Sequence, residues 1–281
     1  MMAEKKVAIL GGRGMLGTDV AMACKGNGYE AEVFDLPEFD ITNSRDLKKA
    51  VKSAEAIVNC AAYTNVDGAE SEYDLAYTVN AAAAGRLGEF SKKAGVWVLH
   101  ISTDFVFDGA LDRPYIETDS ANPINAYGKT KLIGEQMLVG SGCRACILRI
   151  QWTYGKAGKN FITKLISLAK ERKELRVVDD QMGSPTATAD VAKAMCVLLG
   201  KRPEGVFHFA DSGYASRYDA ARFVFEKLNI AVDLQRCKSS DYKTAAQRPL
   251  NSRFCCDKIQ ALLDEPIGPW EKSLAKFLRQ L

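Results

Sequence analysis

An α/β fold, a doubly wound parallel sheet with a smaller C-terminal α/β domain, is what this sequence predicts. Short apolar runs alternate with helical stretches from Lys6 to Ile150, the pattern of a parallel sheet covered on both faces. The first run feeds a cluster of glycines that opens a helix. Beyond Ile150 the alternation becomes irregular, which marks a second, smaller unit.

Taken in order, Lys6–Leu10 is the first strand, and it runs into Gly11-Gly12-Arg13-Gly14-Met15-Leu16-Gly17. The glycines fit a GxGxxG spacing at 12, 14 and 17, and a GxxGxxG spacing at 11, 14 and 17. Such a loop lets a pyrophosphate approach the backbone, and the helix start behind it, from Thr18 to about Lys25, favours negative charge. The sheet is therefore expected to be of Rossmann type. Tyr29–Phe34 is the second strand and ends at Asp35, near the position of a carboxylate that binds an adenosine ribose. A carboxylate there should repel a 2′-phosphate and favour NADH, whereas Arg13 could accept NADPH, so the expected cofactor is NADPH or NADH. Asp40 or Thr42 is placed to cap the next helix.

Ala56–Ala62 is the third strand and its exit, and Ala61 and Ala62 are small enough to let a flat cofactor lie against backbone. A helix follows through Tyr77 and Asn80 to about Lys93; Asn80 is the one residue in it out of character for sheet packing. Val96–Ile101 is the fourth strand and delivers Ser102-Thr103 to the sheet edge, where open α/β sheets bind ligands. A helix from about Ala126 to Leu138 carries Tyr127 and Lys131, four apart and so on one face. A hydroxyl, a phenol and a cation at one sheet edge can hold a carbonyl and protonate it. Ala145–Ile150 is the next strand. Helices follow over Phe161–Glu171, Ala189–Leu199, Arg217–Leu228 and Trp270–Leu281, with a loop over Asp179–Thr188 and a strand over Gly205–Ala210. The expected division is a dinucleotide-binding domain over residues 1–150 and about 186–212. About 151–185 and 213–281 form the substrate-binding domain.

Composition excludes other classes. A net charge of +3 is too small to argue for a nucleic-acid partner, and none is expected. No apolar stretch approaches a membrane span. Met1 to Lys6 leads straight into a strand rather than an apolar leader, so a cytoplasmic protein is expected. The eight cysteines are scattered, and Cys143-x-x-Cys146 lacks a second pair, so no metal site is expected. His100 and His208 fall inside apolar strands and read as core.

Several segments carry a resemblance that runs nearly end to end. Ser102–Gly109, Tyr127–Glu135, Ala61–Asp67, Arg149–Gly155 and Arg248-Pro249-Leu250-Asn251-Ser252 are similar to the dTDP-4-dehydrorhamnose reductase family of extended short-chain dehydrogenases/reductases. The resemblance implies reduction of the C4 ketone of dTDP-4-dehydro-L-rhamnose to dTDP-L-rhamnose. Tyr127 would be the proton donor, Thr103 would hydrogen-bond the carbonyl, and Lys131 would bond the cofactor ribose and lower the phenol's pKa. The implied cofactor contacts are Gly11, Gly14, Met15, Leu16, Gly17, Asp35, Asp40, Ile41, Ala61, Ala62, Tyr63, Asn80, Tyr127 and Lys131. Val66, Asp104, Phe105 and Trp152 would surround the sugar, and Arg248 would meet the diphosphate. Some members bind magnesium at a dimer contact through glutamates; no equivalents are found here, and a homodimer is left open. Two other readings share the fold: a silent nucleotide-binding regulatory subunit, and a nucleotide-sugar epimerase or dehydratase. A dehydratase commonly places Asp-Glu after the Thr, where this chain has Asp104-Phe105.

Overall fold

A computed structural model describes residues 5–281. Residues 1–4, where the expectation about a leader begins, lie outside the described residues. The first half contains β1 (Lys5–Leu10), α1 (Met15–Gly26), β2 (Tyr29–Phe34), α2 (Ser44–Ser53), β3 (Ala56–Asn59), α3 (Tyr73–Tyr77), α4 (Ala83–Ala94), β4 (Trp97–Thr103), α5 (Ala126–Gly140) and β5 (Ala145–Ile150). The second contains β6 (Thr153–Tyr154), α6 (Phe161–Glu171), β7 (Glu174–Val178), β8 (Met182–Gly183), β9 (Thr186–Ala187), α7 (Thr188–Lys201), β10 (Gly205–Phe209), β11 (Ala215–Ser216), α8 (Arg217–Leu228), β12 (Asp233–Cys237), α9 (Asp257–Gln260) and α10 (Trp270–Leu278). The main sheet is six-stranded in the order β10-β5-β4-β3-β1-β2, and every pairing in it is parallel.

Because side chains alternate across a strand, each strand feeds two cores. Val7, Ile9, Trp97, Leu99 and Leu148 meet α1 and α7 on one face. Ala8, Leu10, Ile57, Val98 and Ile147 meet α2, α4 and α5 on the other. Helix α7 and strand β10 thus belong to the packing of the main sheet although they follow the irregular segment. A third core joins α6, β7, α8 and α10 through Leu165, Val177, Val224, Trp270 and Leu274. No element was read from the sequence over Glu174–Val178 or Asp233–Cys237; these pair in parallel as β7 and β12. The expected loop over Asp179–Thr188 contains two two-residue strands and the start of α7.

The chain leaves β1 for β2 on one side and returns to β3 on the other. The crevice between β1 and β3 is therefore the topological switch point at which α/β sheets bind ligands. Neither Asp40 nor Thr42 caps α2; Asn43 does, its side chain accepting from the Arg45 amide at 2.8 Å. Asp40 instead closes a turn on the Thr42 amide and hydroxyl, both at 2.8 Å. All eight cysteines are unpaired, and Cys146 is part of β5. His100 and His208 are buried, as expected.

Candidate active site

The glycine loop, the exits of β3 and β4, the start of α5 and the segment after β5 line one cleft of about 660 Å³. Its walls include Gly11, Gly14, Met15, Leu16, Gly17, Asp35, Asp40, Ile41, Ala61 and Ala62. The loop fits a dinucleotide because its glycines leave no room for side chains between the first helix and the neighbouring strand exit. A Cβ on Gly17 would stand 2.3 Å from the Gly11 carbonyl oxygen, and one on Gly11 would stand 2.7 Å from the Ala61 backbone. Asp35 is fixed by backbone: its carboxylate accepts from the Arg13 amide at 2.7 Å and from the Leu36 amide at 2.8 Å. The Arg13 guanidinium turns outward to Leu36 and Glu38 in an exposed ion pair.

Two of the expected cofactor residues stand elsewhere. Asn80 is 1% exposed and sits behind the β3 exit, accepting from the Tyr63 amide at 2.9 Å and donating to the Thr130 hydroxyl at 3.1 Å. It lies on a π-helical turn over Thr78–Ala82 and shapes the loop rather than lining the cleft. The Tyr63 hydroxyl turns to Glu72, so what this residue offers the cleft side is backbone.

Helix α5 is held against the cleft at its first turn. The Asn125 side chain accepts from the Gly128 amide at 2.8 Å and donates to the Gln247 carbonyl at 2.8 Å, while Glu70 accepts from the Ala126 amide. Gly128 is required by contact: a Cβ there would stand 2.0 Å from the Phe105 carbonyl oxygen. That approach puts the Tyr127 ring edge-on to Phe105, with centroids 5.8 Å apart, and brings Thr103, Tyr127 and Lys131 to one wall.

Burial pushes the Tyr127 phenol up to about 12; the Thr103 hydroxyl opposes this and the charge of Asp104 adds to it. The expected lowering by Lys131 is not found. Lys131 is 2% exposed and donates to the Ile101 carbonyl at 2.6 Å, which holds its ammonium on the strand. Burial brings Lys131 itself down to about 8, against the charge of Glu135. The phenol is thus kept as an acid, protonated throughout the neutral range. Thr103 donates to Asp104 at 3.1 Å and accepts from the Phe105 amide at 3.2 Å. Asp104, 4% exposed, also accepts from Ser252, and burial raises its carboxyl to about 6.

The RmlD substrate binding domain family matches residues 5–281. The chain belongs to this family. A dTDP-4-dehydrorhamnose reductase of Aggregatibacter actinomycetemcomitans is 36% identical over 96% of this chain and 97% of its own. A crystal structure of a dTDP-4-dehydrorhamnose reductase from Clostridium acetobutylicum superposes with a TM-score of 0.93 at 36% identity, covering 98% of this chain and 99% of the other. One from Bacillus anthracis, in complex with NADP, gives 0.95 at 34% identity, covering 99% of this chain and all of the other (100%).

In this family member the cleft lining also includes Val66, Asp104, Phe105 and Trp152. Trp152 has φ +44°, a left-handed conformation that costs a bulky residue about 1–3 kcal/mol. Its ring is held by Gly183, where a Cβ would stand 2.6 Å away, and by the Arg217 guanidinium, 3.5 Å from the ring centre. Arg248 is placed differently from expectation. Its fork is taken by Asp67 at 2.7 and 3.1 Å and by the Ala246 carbonyl at 2.8 Å, and it is not on the cleft wall. The same pair holds Asp67 below the usual carboxylate range. Arg217, Gln151 and Ser252 were missed. Arg217 gave no more signal in the sequence than the first residue of a helix, and Ser252 gave only its place in the Arg248–Ser252 segment.

Proposed function

We propose that this chain reduces the C4 ketone of dTDP-4-dehydro-L-rhamnose to dTDP-L-rhamnose with NADPH or NADH. The observation that carries the proposal is the convergence of Thr103, Tyr127 and Lys131 on the wall of the cleft that the glycine loop opens. The names and the NADP complex of relatives covering nearly the whole chain support the substrate and cofactor assignment. When bound, a reduced nicotinamide supplies the hydride. Tyr127 supplies the proton: with its phenol held up to about 12, it is fully protonated at neutral pH and donates to the oxygen as charge develops there. The Thr103 hydroxyl orients that oxygen once its proton turns from Asp104 to the substrate. Lys131 serves a ribose hydroxyl from its anchorage on Ile101. Val66, Phe105 and Trp152 present an apolar wall to the sugar and exclude water, which strengthens each hydrogen bond at the carbonyl.

The test is sugar-dependent oxidation of the reduced cofactor by wild type and by Tyr127→Phe. Loss of the phenolic acid is expected to lower turnover by about 10²–10⁴-fold while cofactor binding persists. Wild-type turnover by the variant would overturn the role of Tyr127. Tight cofactor binding without any turnover by the wild type would overturn the reductase reading.

A further inference from the structure

The cleft carries three cations: Lys131, Lys159 and Arg217. Lys131 is committed to the Ile101 carbonyl. Lys159 belongs to a loop whose neighbours Gly158 and Asn160 abut Met15, on the glycine-loop side. Arg217 stands on the other side, stacked on Trp152 at 3.5 Å and 5.0 Å from the centre of the Phe161 ring. Among the described residues its guanidinium makes no salt bridge within 4.0 Å and no hydrogen bond. Burial lowers its pKa to about 9, the charge of Asp104 opposes this, and the charge of Arg248 adds to it. Arg217 is therefore within electrostatic reach of both Asp104 and Arg248.

A guanidinium held 3.5 Å over an indole is restrained in position by the ring, and N–H groups that make no bond to the protein remain available to a ligand. That geometry suits a phosphate, which takes two parallel N–H donors. Gln151, beside Trp152 on the same wall, is also incompletely used: its oxygen accepts from the Ser184 amide at 3.0 Å, while its buried NH₂ has no acceptor. We propose that Arg217 is the residue that grips the diphosphate of the nucleotide-sugar substrate, and that Arg248 acts at a remove, by holding Asp67 and the chain around Ala246. This inference rests on the nucleotide-sugar reading above and adds to it the group that binds the diphosphate end of the substrate. It also gives the strained Trp152 a purpose, as the platform that orients the fork.

The test is calorimetric titration of the NADPH complex with dTDP, dTMP and thymidine, using wild type, Arg217→Gln, Arg217→Lys and Arg248→Gln. Loss of a charged hydrogen-bonding partner is expected to weaken dTDP binding by about 10- to 100-fold in Arg217→Gln. Thymidine and NADPH affinities should stay unchanged, Arg217→Lys should recover part of the loss, and Arg248→Gln should lose less. In turnover, Arg217→Gln should raise KM for the nucleotide sugar more than it lowers kcat. Unchanged dTDP binding in Arg217→Gln would overturn the proposal, as would an equal loss for dTDP and thymidine, which would mean that Arg217 only shapes the pocket. A wild type that binds neither dTDP nor thymidine would overturn the nucleotide-sugar reading itself, and NADPH titration of each variant checks that it is folded.

Discussion

Replacing Lys131 with Met should separate what this lysine costs the fold from what it does in the cleft. Burial lowers its pKa from 10.5 to about 8, and at about 1.36 kcal/mol per pH unit this difference amounts to roughly 3 kcal/mol. Below pH 8 both folded and unfolded chains carry the proton, so the folded state bears the full cost. Between pH 8 and 10.5 the unfolded chain binds more protons, and stability contributed by this site rises with pH. Above 10.5 both forms are neutral and the cost is gone. The difference between wild type and Lys131→Met isolates this site, because thiols and phenols that titrate in the same range are present in both chains. Urea unfolding at a series of pH values from 7 to 11 should therefore show wild type gaining roughly 3 kcal/mol on the variant. Parallel curves would refute the argument, since they would mean that Lys131 keeps an ordinary pKa in the folded chain. Turnover should respond in the opposite sense: the variant, even where it is the more stable protein, should lose cofactor affinity and rate.

Glu135→Met should cost about 3–5 kcal/mol, because it strands the guanidinium of Arg149, bonded to Glu135 at 2.6 and 2.9 Å in the interior. Adding Arg149→Met should restore most of the loss, and strictly additive effects in a denaturation cycle would contradict this. Asp35→Ala should shift preference toward NADPH by at least about fivefold, for a like-charge contact of roughly 1–4 kcal/mol, read as the ratio of kcat/KM for the two cofactors; an unchanged ratio would remove Asp35 from the ribose. Gly128→Ala should lose about 1–3 kcal/mol of stability together with most turnover, because its Cβ can be accommodated only by moving α5 off the Phe105 carbonyl. An active variant with an unchanged Tm would show that the contact is not needed.

What was legible in the sequence is what lies close together along it. The glycine loop and the Tyr127/Lys131 pair each fall within a single turn or helix face, and Asp35 follows at the end of the next strand, so spacing together with position in the strand-helix order located them. Arg248 could not be placed in this way. Its fate depends on Asp67, which is remote in sequence and meets it only after the second half has packed onto the first. Arg217 was hidden for the same reason, since its exposure to the cleft is decided by Trp152. The pKa of Tyr127 illustrates a further limit. A Tyr and a Lys on one helix face suggest attraction, but the fold turns the lysine to a carbonyl of β4, and burial dominates. Strands β7 and β12 escaped notice because each is only five residues long and mixes its few apolar residues with exposed charged ones.

Helix α5 makes one working site out of these separately packed parts. Its start is bonded to Gln247 from the second half and to Glu70 after β3. Further along, a Cβ on Gly134 would stand 2.1 Å from the Asn80 carbonyl, so the helix presses on the turn whose side chain fixes Tyr63. Its next residue, Glu135, is paired to Arg149 of β5. A displacement of α5 would therefore disturb the β3-exit loop of the cleft, its chain connection to the Arg248 segment, and the proposed proton donor Tyr127 together. Because helices pack without slack, α5 has little freedom to shift independently. The alignment of Tyr127 with the rest of the cleft is accordingly set by folding and does not have to be paid for when substrate arrives, which is the condition for a fixed donor to act on charge that appears only in the transition state.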